Sequence, residues 1–333
     1  MQKKILVAID DSSHSRQAVD YAARMKTLIP GLGFTLVHIQ PPVSQFLLDE
    51  AKRSSQAQAE LNRAAARNAE AARGLLAKYK DLMVRAGVLD AEIDLLALPR
   101  HLGLAKDILD QAEGGIFDAV LLGRRGISSV QQMFLGSVSA HLIENSAVIP
   151  VWLVDGAVSS KQILAAVDGS ESALRAVDHL AFMLSGNPEV RIRFFHVAPR
   201  LKDFCEVNFT QKPTEGLEAL IAQGDKRCMD DFFSTALAKL QSAGFQEKQI
   251  ETQTAATLLS VGETILSAAR EGGFGTLVMG RRGMNKSFFG GKISYYVSQK
   301  LSDAELEAAF REKMEKARGI IGELDKGAKF DDL

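Results

Sequence analysis

Residues 5–15 read ILVAIDDSSHS and residues 163–173 read ILAAVDGSESA. The likeness continues at the same offset. Asp10 answers to Asp168, Val19-Asp20 to Val177-Asp178, and His38 in LVHIQP to His196 in FFHVAP. It returns, one residue out of step, at LLGRRG (residues 121–126) and VMGRRG (residues 278–283). A repeat this long signals two copies of one domain, and it divides the 333-residue chain into 1–156 and 157–333. Both copies open on a continuous apolar run without polar alternation, the pattern of a strand buried on both faces of a parallel sheet.

From those runs outward the pattern alternates. Second strands are expected at 34–39 and 191–197. Long helical stretches follow at 46–87 and 215–243, then a strand at 92–98, a helix at 105–113 and a strand at 119–122. Strands alternating with helices predict right-handed crossovers and a doubly wound α/β sheet in each half. The first half closes with a helix at 138–145 and a fifth strand at 148–154. The second half instead runs into SDAELEAAFREKMEKARGIIGELD. There Ser302 and Glu305 form a capping-box pattern, and Leu306, Phe310, Met314, Ala317, Ile321 and Leu324 recur every three or four residues. The second domain is therefore expected to lack its last strand and to end in an amphipathic helix, packed on its own domain, on the sister domain or on a partner protein.

Bulk properties bound the function. Hydrophobic residues make up 46% and charged residues 24%, and the formal net charge is −1, so nothing draws the chain as a whole to nucleic acid or to an anionic membrane. No apolar run approaches the roughly 20 residues that span a bilayer. The opening MQKKILVAID enters a strand directly, without a signal-peptide layout, and the two cysteines, Cys205 and Cys228, offer no framework. A cytoplasmic protein is expected.

The sharpest chemical signal follows the fourth strand of the first half, where Gly123, Gly126 and Gly136-Ser137 give the spacing G-x2-G-x9-G-S. Glycine admits a close backbone approach and positive φ, and a helix starting at Ser137 or Val138 offers free amides and a partial positive charge to an anion. Two glycine turns converging on one helix start suit a di- or triphosphate. Arg124 and Arg125 either contact phosphates or lie solvated at the surface. Asp10 ends the first strand, where ligands of open parallel sheets bind. It is placed to accept from a ribose hydroxyl or an adenine amino group, or to cap the next helix, as is Ser12. Ile39, ending the second strand, can meet a base through its backbone. His38 and His196 sit inside apolar runs and read as structural. No Ser-His-Asp set, metal-ligand spacing or Walker-type lysine is present, so no catalytic or metal residue is named.

With VAID/AAVDGS, LVHI/FFHV and the glycine motif, the chain resembles the universal stress protein family in its tandem two-domain form. The resemblance implies a five-stranded parallel sheet, pairing through last strands, and adenine nucleotide (ATP, or ADP or AMP, with or without Mg²⁺) as ligand. It places the site at Asp10, Ile39, Gly123, Arg124, Gly126, Gly136, Ser137 and Val138. The family's role is stress survival, usually by regulation. Two departures stand out. Asp11 replaces a common glycine, found in the second half as Gly169. In the second half Gly283 is followed after seven residues by Gly291-Lys292, so the spacer is short and lysine replaces serine. A degenerate second site would comprise Asp168, Val197, Gly280, Arg281, Gly283, Gly291 and Lys292. With one last strand missing, the other is expected to pair with a second copy of the chain, giving a homodimer. The expected function is an adenine-nucleotide-binding stress-response regulator, with a nucleotide-free interaction scaffold and a slow ATPase as alternatives.

Overall fold

The computed structural model of the chain describes residues 2–124, 136–146, 148–156, 158, 160–198, 215–257, 260–281 and 292–300. The first half runs β1 (Lys3–Ala8), α1 (Ser13–Leu28), β2 (Leu32–Ile39), α2 (Gln45–Ala51), α3 (Ser55–Arg85), β3 (Ile93–Leu98), α4 (Leu104–Gly114), β4 (Ala119–Gly123), α5 (Ser137–Asn145) and β5 (Val151–Val154). The second runs β6 (Gln162–Val167), α6 (Glu171–Leu184), β7 (Arg191–Ala198), α7 (Glu215–Ser242), β8 (Ile250–Ala256), α8 (Val261–Glu271), β9 (Thr276–Met279) and α9 (Lys292–Lys300).

All strand pairs are parallel. The first sheet has the order β3-β2-β1-β4-β5 and the second β8-β7-β6-β9. The second sheet therefore has four strands, and its last described element is a helix. The amphipathic segment at 302–324 lies outside the described residues. In both sheets the chain winds outward from the first strand, then crosses to its other side. This makes a topological switch point between β1 and β4, and between β6 and β9, at whose carboxyl ends such sheets bind ligands.

Two elements differ from expectation. The helical stretch at 46–87 is two helices, broken at 52–54, because the Ser54 hydroxyl accepts from Ala57 N–H (3.4 Å) and restarts the helix as its N-cap. The fifth strand begins at Val151 rather than at 148. Pro150 has no N–H to give a ladder, and Val148 is 77% exposed.

Layers of apolar side chains cover both faces of the first sheet. Leu6, Val37, Val120 and Leu122 meet α4 and Leu142 of α5, while Ile5, Val7, Phe34 and Leu121 meet α1 and α3. The second layer does not stop at the domain boundary. It continues through Met25 and Leu28 into Leu180, Met183 and Leu184 of α6 and Ile163 of β6, so the halves share one core. Across that seam Lys3 Nζ donates to Met183 O (2.9 Å), Asn187 Nδ2 donates to Leu28 O (2.7 Å), and the Tyr21 and Thr276 hydroxyls lie 3.2 Å apart. Trp152 of β5 meets Tyr21 and His179 edge-on, at ring centroid distances of 6.4 and 5.8 Å. Tyr21 and His179 hold the same place in the repeat, so Trp152 lies between two equivalent positions. No helix among the described residues is long and apolar enough to cross a membrane.

Candidate functional site: the crevice at the switch point of the first sheet

Asp10 leaves β1 at the mouth of the crevice. One of its carboxylate oxygens accepts from Ser12 N–H (3.1 Å) and from the Ser12 and Ser15 hydroxyls (2.5 and 2.6 Å), and Ser15 Oγ accepts from Asp10 N–H (2.9 Å). Ser12 is the N-cap of α1, its hydroxyl accepting from Ser15 N–H at 3.1 Å. The cap of α1 is therefore Ser12 and not Asp10, whose carboxylate braces that cap. Asp10 organises the start of α1 and stands at the carboxyl edge of the sheet. Asp11 turns away to Lys78 of α3 (2.9 Å), on the exposed surface, so its charge has a cationic partner.

Gly123 ends β4 against the first turn of α1. A Cβ on Gly123 would lie 2.6 Å from the carbonyl carbon, carbonyl oxygen and Cβ of His14, so only glycine lets the strand exit come this close. Gly280 repeats the device, where a Cβ would lie 2.8 Å from Ala173 N and Ser172 C. The first glycine of the motif thus has a packing requirement in both halves, whatever binds beside it.

Residues 125–135, including Gly126, lie outside the described residues. The loop's two ends are nonetheless tied together. Gly136 N–H donates to Arg124 O (3.1 Å), and the buried Ser139 hydroxyl donates to Gly123 O (3.2 Å). Gly136 is the N-cap of α5, with φ −59° and ψ 144°, and the first helical bond is Ala140 N–H to Gly136 O. The amides of Ser137, Val138 and Ser139 therefore have no acceptor a turn earlier in the helix. They form the positive end of α5 beside the β4 exit, with Asp10 at the neighbouring strand end. Ile39 closes β2 with its side chain in the core (6% exposed), leaving its backbone at the sheet edge. His38 Nδ1 lies 2.8 Å from Ile9 O. Because a carbonyl only accepts, that nitrogen carries the proton, and the ring ties β2 to β1.

The second crevice shares the frame but not the lining. Ser170 N–H donates to Asp168 (3.1 Å), Gly169 has φ +76°, and His196 Nδ1 lies 3.0 Å from Val167 O. His196 Nε2 also meets Asp225 of α7 at 3.0 Å. Counting back from the buried Met83 and Leu240, the matching position in α3 is Asn68, whose amide reaches Pro41 O (3.5 Å). Burial, aided by the Asp225 and Asp168 carboxylates, pushes the Cys228 thiol up. The second crevice therefore carries a carboxylate where the first carries an amide. Val197, the repeat equivalent of Ile39, is buried and stands one residue before the end of β7. Gly283 and Gly291 lie outside the described residues, and Lys292 opens α9. No group of three or more potential metal-ligating side chains occurs among the described residues.

The two arginines were not legible from spacing. Arg124 is 1% exposed, so the solvated alternative does not hold for it. Its guanidinium pairs with Asp155 (2.9 Å) and donates to the carbonyls of Ser298 (3.0 Å) and Gln299 in α9. Arg281, at the same place in the second repeat, donates to Glu144 O (2.7 Å) at the end of α5. Each domain's arginine thus reaches carbonyls of the other domain's last described helix, and for Arg281 these lie in the final turn of α5, where carbonyls lack helical partners and the dipole favours a cation. A hint existed in the paired LLGRRG and VMGRRG, but not the partner's identity. Asp155, Trp152 and His179 carried no signal at all. Burial holds the His179 imidazole down to about 4, and its Nε2 accepts from Trp152 Nε1–H (3.1 Å).

Comparison with known proteins agrees with this architecture. The family model described as "Universal stress protein family" matches residues 1–155 and again 159–302. Among solved structures, a universal stress protein from Archaeoglobus fulgidus DSM 4304 is 17% identical with a TM-score of 0.58, covering 89% of this chain and 94% of that one, and so shares the fold across both halves. Others align with one domain's length. The universal stress protein UspA from Lactobacillus plantarum is 17% identical (TM-score 0.35, 46% of this chain, 97% of that one). A universal stress protein from Archaeoglobus fulgidus in complex with dAMP is 22% identical (TM-score 0.30, 46% and 98%). No curated protein matches.

Proposed function

The chain belongs to the universal stress protein family, and on that premise we propose that its first half binds an adenine nucleotide and that occupancy regulates the protein under stress. The observation that carries this reading is the closed turn at the switch point. Gly136 N–H bonded to Arg124 O brings the amide end of α5 onto the β4 exit, one strand away from Asp10. Phosphate oxygens accept from the amides of Ser137 and Val138 and from the Ser137 hydroxyl, with Gly123 and Gly126 giving the loop its close approach. Asp10 and Ser12 face the ribose, and the Ile39 backbone faces the base. ATP, ADP and AMP share these contacts, and any Mg²⁺ would be held by the phosphates, since no side chain is assigned to it. No group is assigned as a general base, so the role is binding rather than turnover.

The second crevice is the weaker site. Asp168 repeats Asp10, but Asp225 adds a carboxylate that the first crevice lacks, and the added charge disfavours an anion. The protein acts in the cytoplasm in this reading. β5, the edge strand of the first sheet, pairs with its copy in a homodimer, and a solution mass of one chain at micromolar concentration would end that part of the proposal. A scaffold reading draws on exposed Phe46 of α2 and Leu217 and Leu220 of α7, which suit a protein partner.

The deciding experiment is calorimetric titration of nucleotide-stripped protein with ATP, read as sites per chain. One site, lost in Gly136→Ala, supports the proposal. The φ of −59° at Gly136 is one that alanine adopts, so backbone strain does not enter the loss, and an unchanged urea midpoint separates it from misfolding. No binding by the wild type would leave the scaffold reading.

A further inference from the structure

The Arg124 side chain ties the proposed nucleotide loop of the first half to the last described helix of the second. Its backbone is part of the loop, since Arg124 O holds Gly136 N–H at the α5 start. Its side chain is buried and spent elsewhere, on Asp155 and on the carbonyls of Ser298 and Gln299. Asp155 also lies 4.0 Å from His14 Nε2, and His14 is the residue against which Gly123 packs. One largely buried aspartate, its side chain 9% exposed, thus connects both walls of the crevice, the α1 start and the β4 exit, to the same guanidinium. The repeat supplies the mirror contact, Arg281 to Glu144, so the junction is clamped from both sides.

We propose that Arg124 is a positioning residue, not a phosphate ligand, and that the second domain, through α9, sets how the β4 exit and the α5 start meet in the first domain. This rests on the nucleotide reading above. The second half, whose own crevice is altered, then contributes to binding by anchoring the first. Because binding couplings are reciprocal, nucleotide in the first half must also tighten the docking of α9.

The test uses the full chain with ATP and AMP as probes, in Arg124→Ala, Asp155→Asn and the paired variant Arg124→Met/Asp155→Leu. The paired change removes both buried charges together, so it folds even where a lone charge would not. Affinity is read by calorimetry, and amide hydrogen exchange over 292–300 by mass spectrometry. We expect ATP and AMP to weaken by the same factor in all three variants, on the order of tenfold as for coupled sites. We also expect ATP to slow exchange at 292–300 in the wild type but not in the variants. Three results would overturn the inference: a loss for ATP far larger than for AMP, which marks a direct phosphate ligand; tighter ATP binding in Asp155→Asn, which marks an arginine set free to reach phosphate; or unchanged affinities throughout. Failure of the wild type itself to bind ATP would instead overturn the nucleotide reading, and this coupling with it.

Discussion

The two halves of this chain keep one frame and line it differently. Gly123 and Gly280 press against the first turns of α1 and α6, and His38 and His196 tie the second strand to the first through matching carbonyls. What differs is charge and loop. Asn68 stands where Asp225 pairs with His196, and the G-x9-G-S spacing of the first half becomes G-x7-G-K in the second. The frame is set by packing, which fails if a glycine gains a methyl group. The lining is set by what must be accommodated, and one half can lose it without unfolding.

The largest expected effect comes from the seam, where equivalent positions carry Tyr21 and His179. Burial raises the Tyr21 phenol and lowers the His179 imidazole to about 4 from an ordinary value of 6.5. Between about pH 4 and 6.5 the folded form therefore holds fewer protons at His179 than the unfolded form. The contribution is full above pH 6.5, falls as the pH drops, and is exhausted below about 4, for a total of about 3 kcal/mol. Urea unfolding between pH 7 and 4, followed by the emission of the single tryptophan, Trp152, should show this loss. His179→Tyr should flatten that part of the profile, and an unchanged profile would remove His179 from the seam.

Next, Gly136→Ala should weaken ATP binding about 100-fold, as expected for two lost hydrogen bonds to a charged group, at little cost in stability. Gly291→Ala in the second half should leave ATP stoichiometry and affinity unchanged. A second class of sites lost in Gly291→Ala would erase the contrast between the crevices. Gly123→Ala and Gly280→Ala should each cost about 1–3 kcal/mol by overpacking, measurable in urea midpoints. A silent Gly280→Ala would show that the halves do not share this packing. The smallest effect is expected from Lys78→Ala, which leaves Asp11 without its exposed partner. ATP affinity should fall only a few-fold, and less at high salt, since the Asp11 charge is exposed and screened.

Where the candidate residues lie was legible because their placement is a matter of backbone. A glycine motif after a buried strand fixes where amides can point, and Gly123, Gly136 and Ser137 lie at the β4 exit and the α5 start as their spacing predicts. Asp10 and Ser12 were legible as a strand end and a cap, and the structure joins those roles in one hydrogen-bonded turn. Arg124 was not legible. An arginine beside a phosphate loop reads as a ligand or as surface, and only the position of α9 shows a third destination. The break at 52–54 was missed for a related reason. Alanine-rich periodicity runs through it, and a single serine cap decides where one helix ends and another begins.

The sequence by itself determined that there are two copies of one parallel α/β domain, which strands are buried, and in which copy the glycine motif is intact. These are properties of short windows, where period, glycine and capping residues act on the adjacent backbone. Only the tertiary structure decided how the copies meet: Trp152 between Tyr21 and His179, Asp155 holding Arg124, and each arginine on the other domain's last described helix. Those contacts join residues far apart in the chain. No spacing encodes them, because the environment that buries a charge is built from elements the charge does not neighbour in sequence.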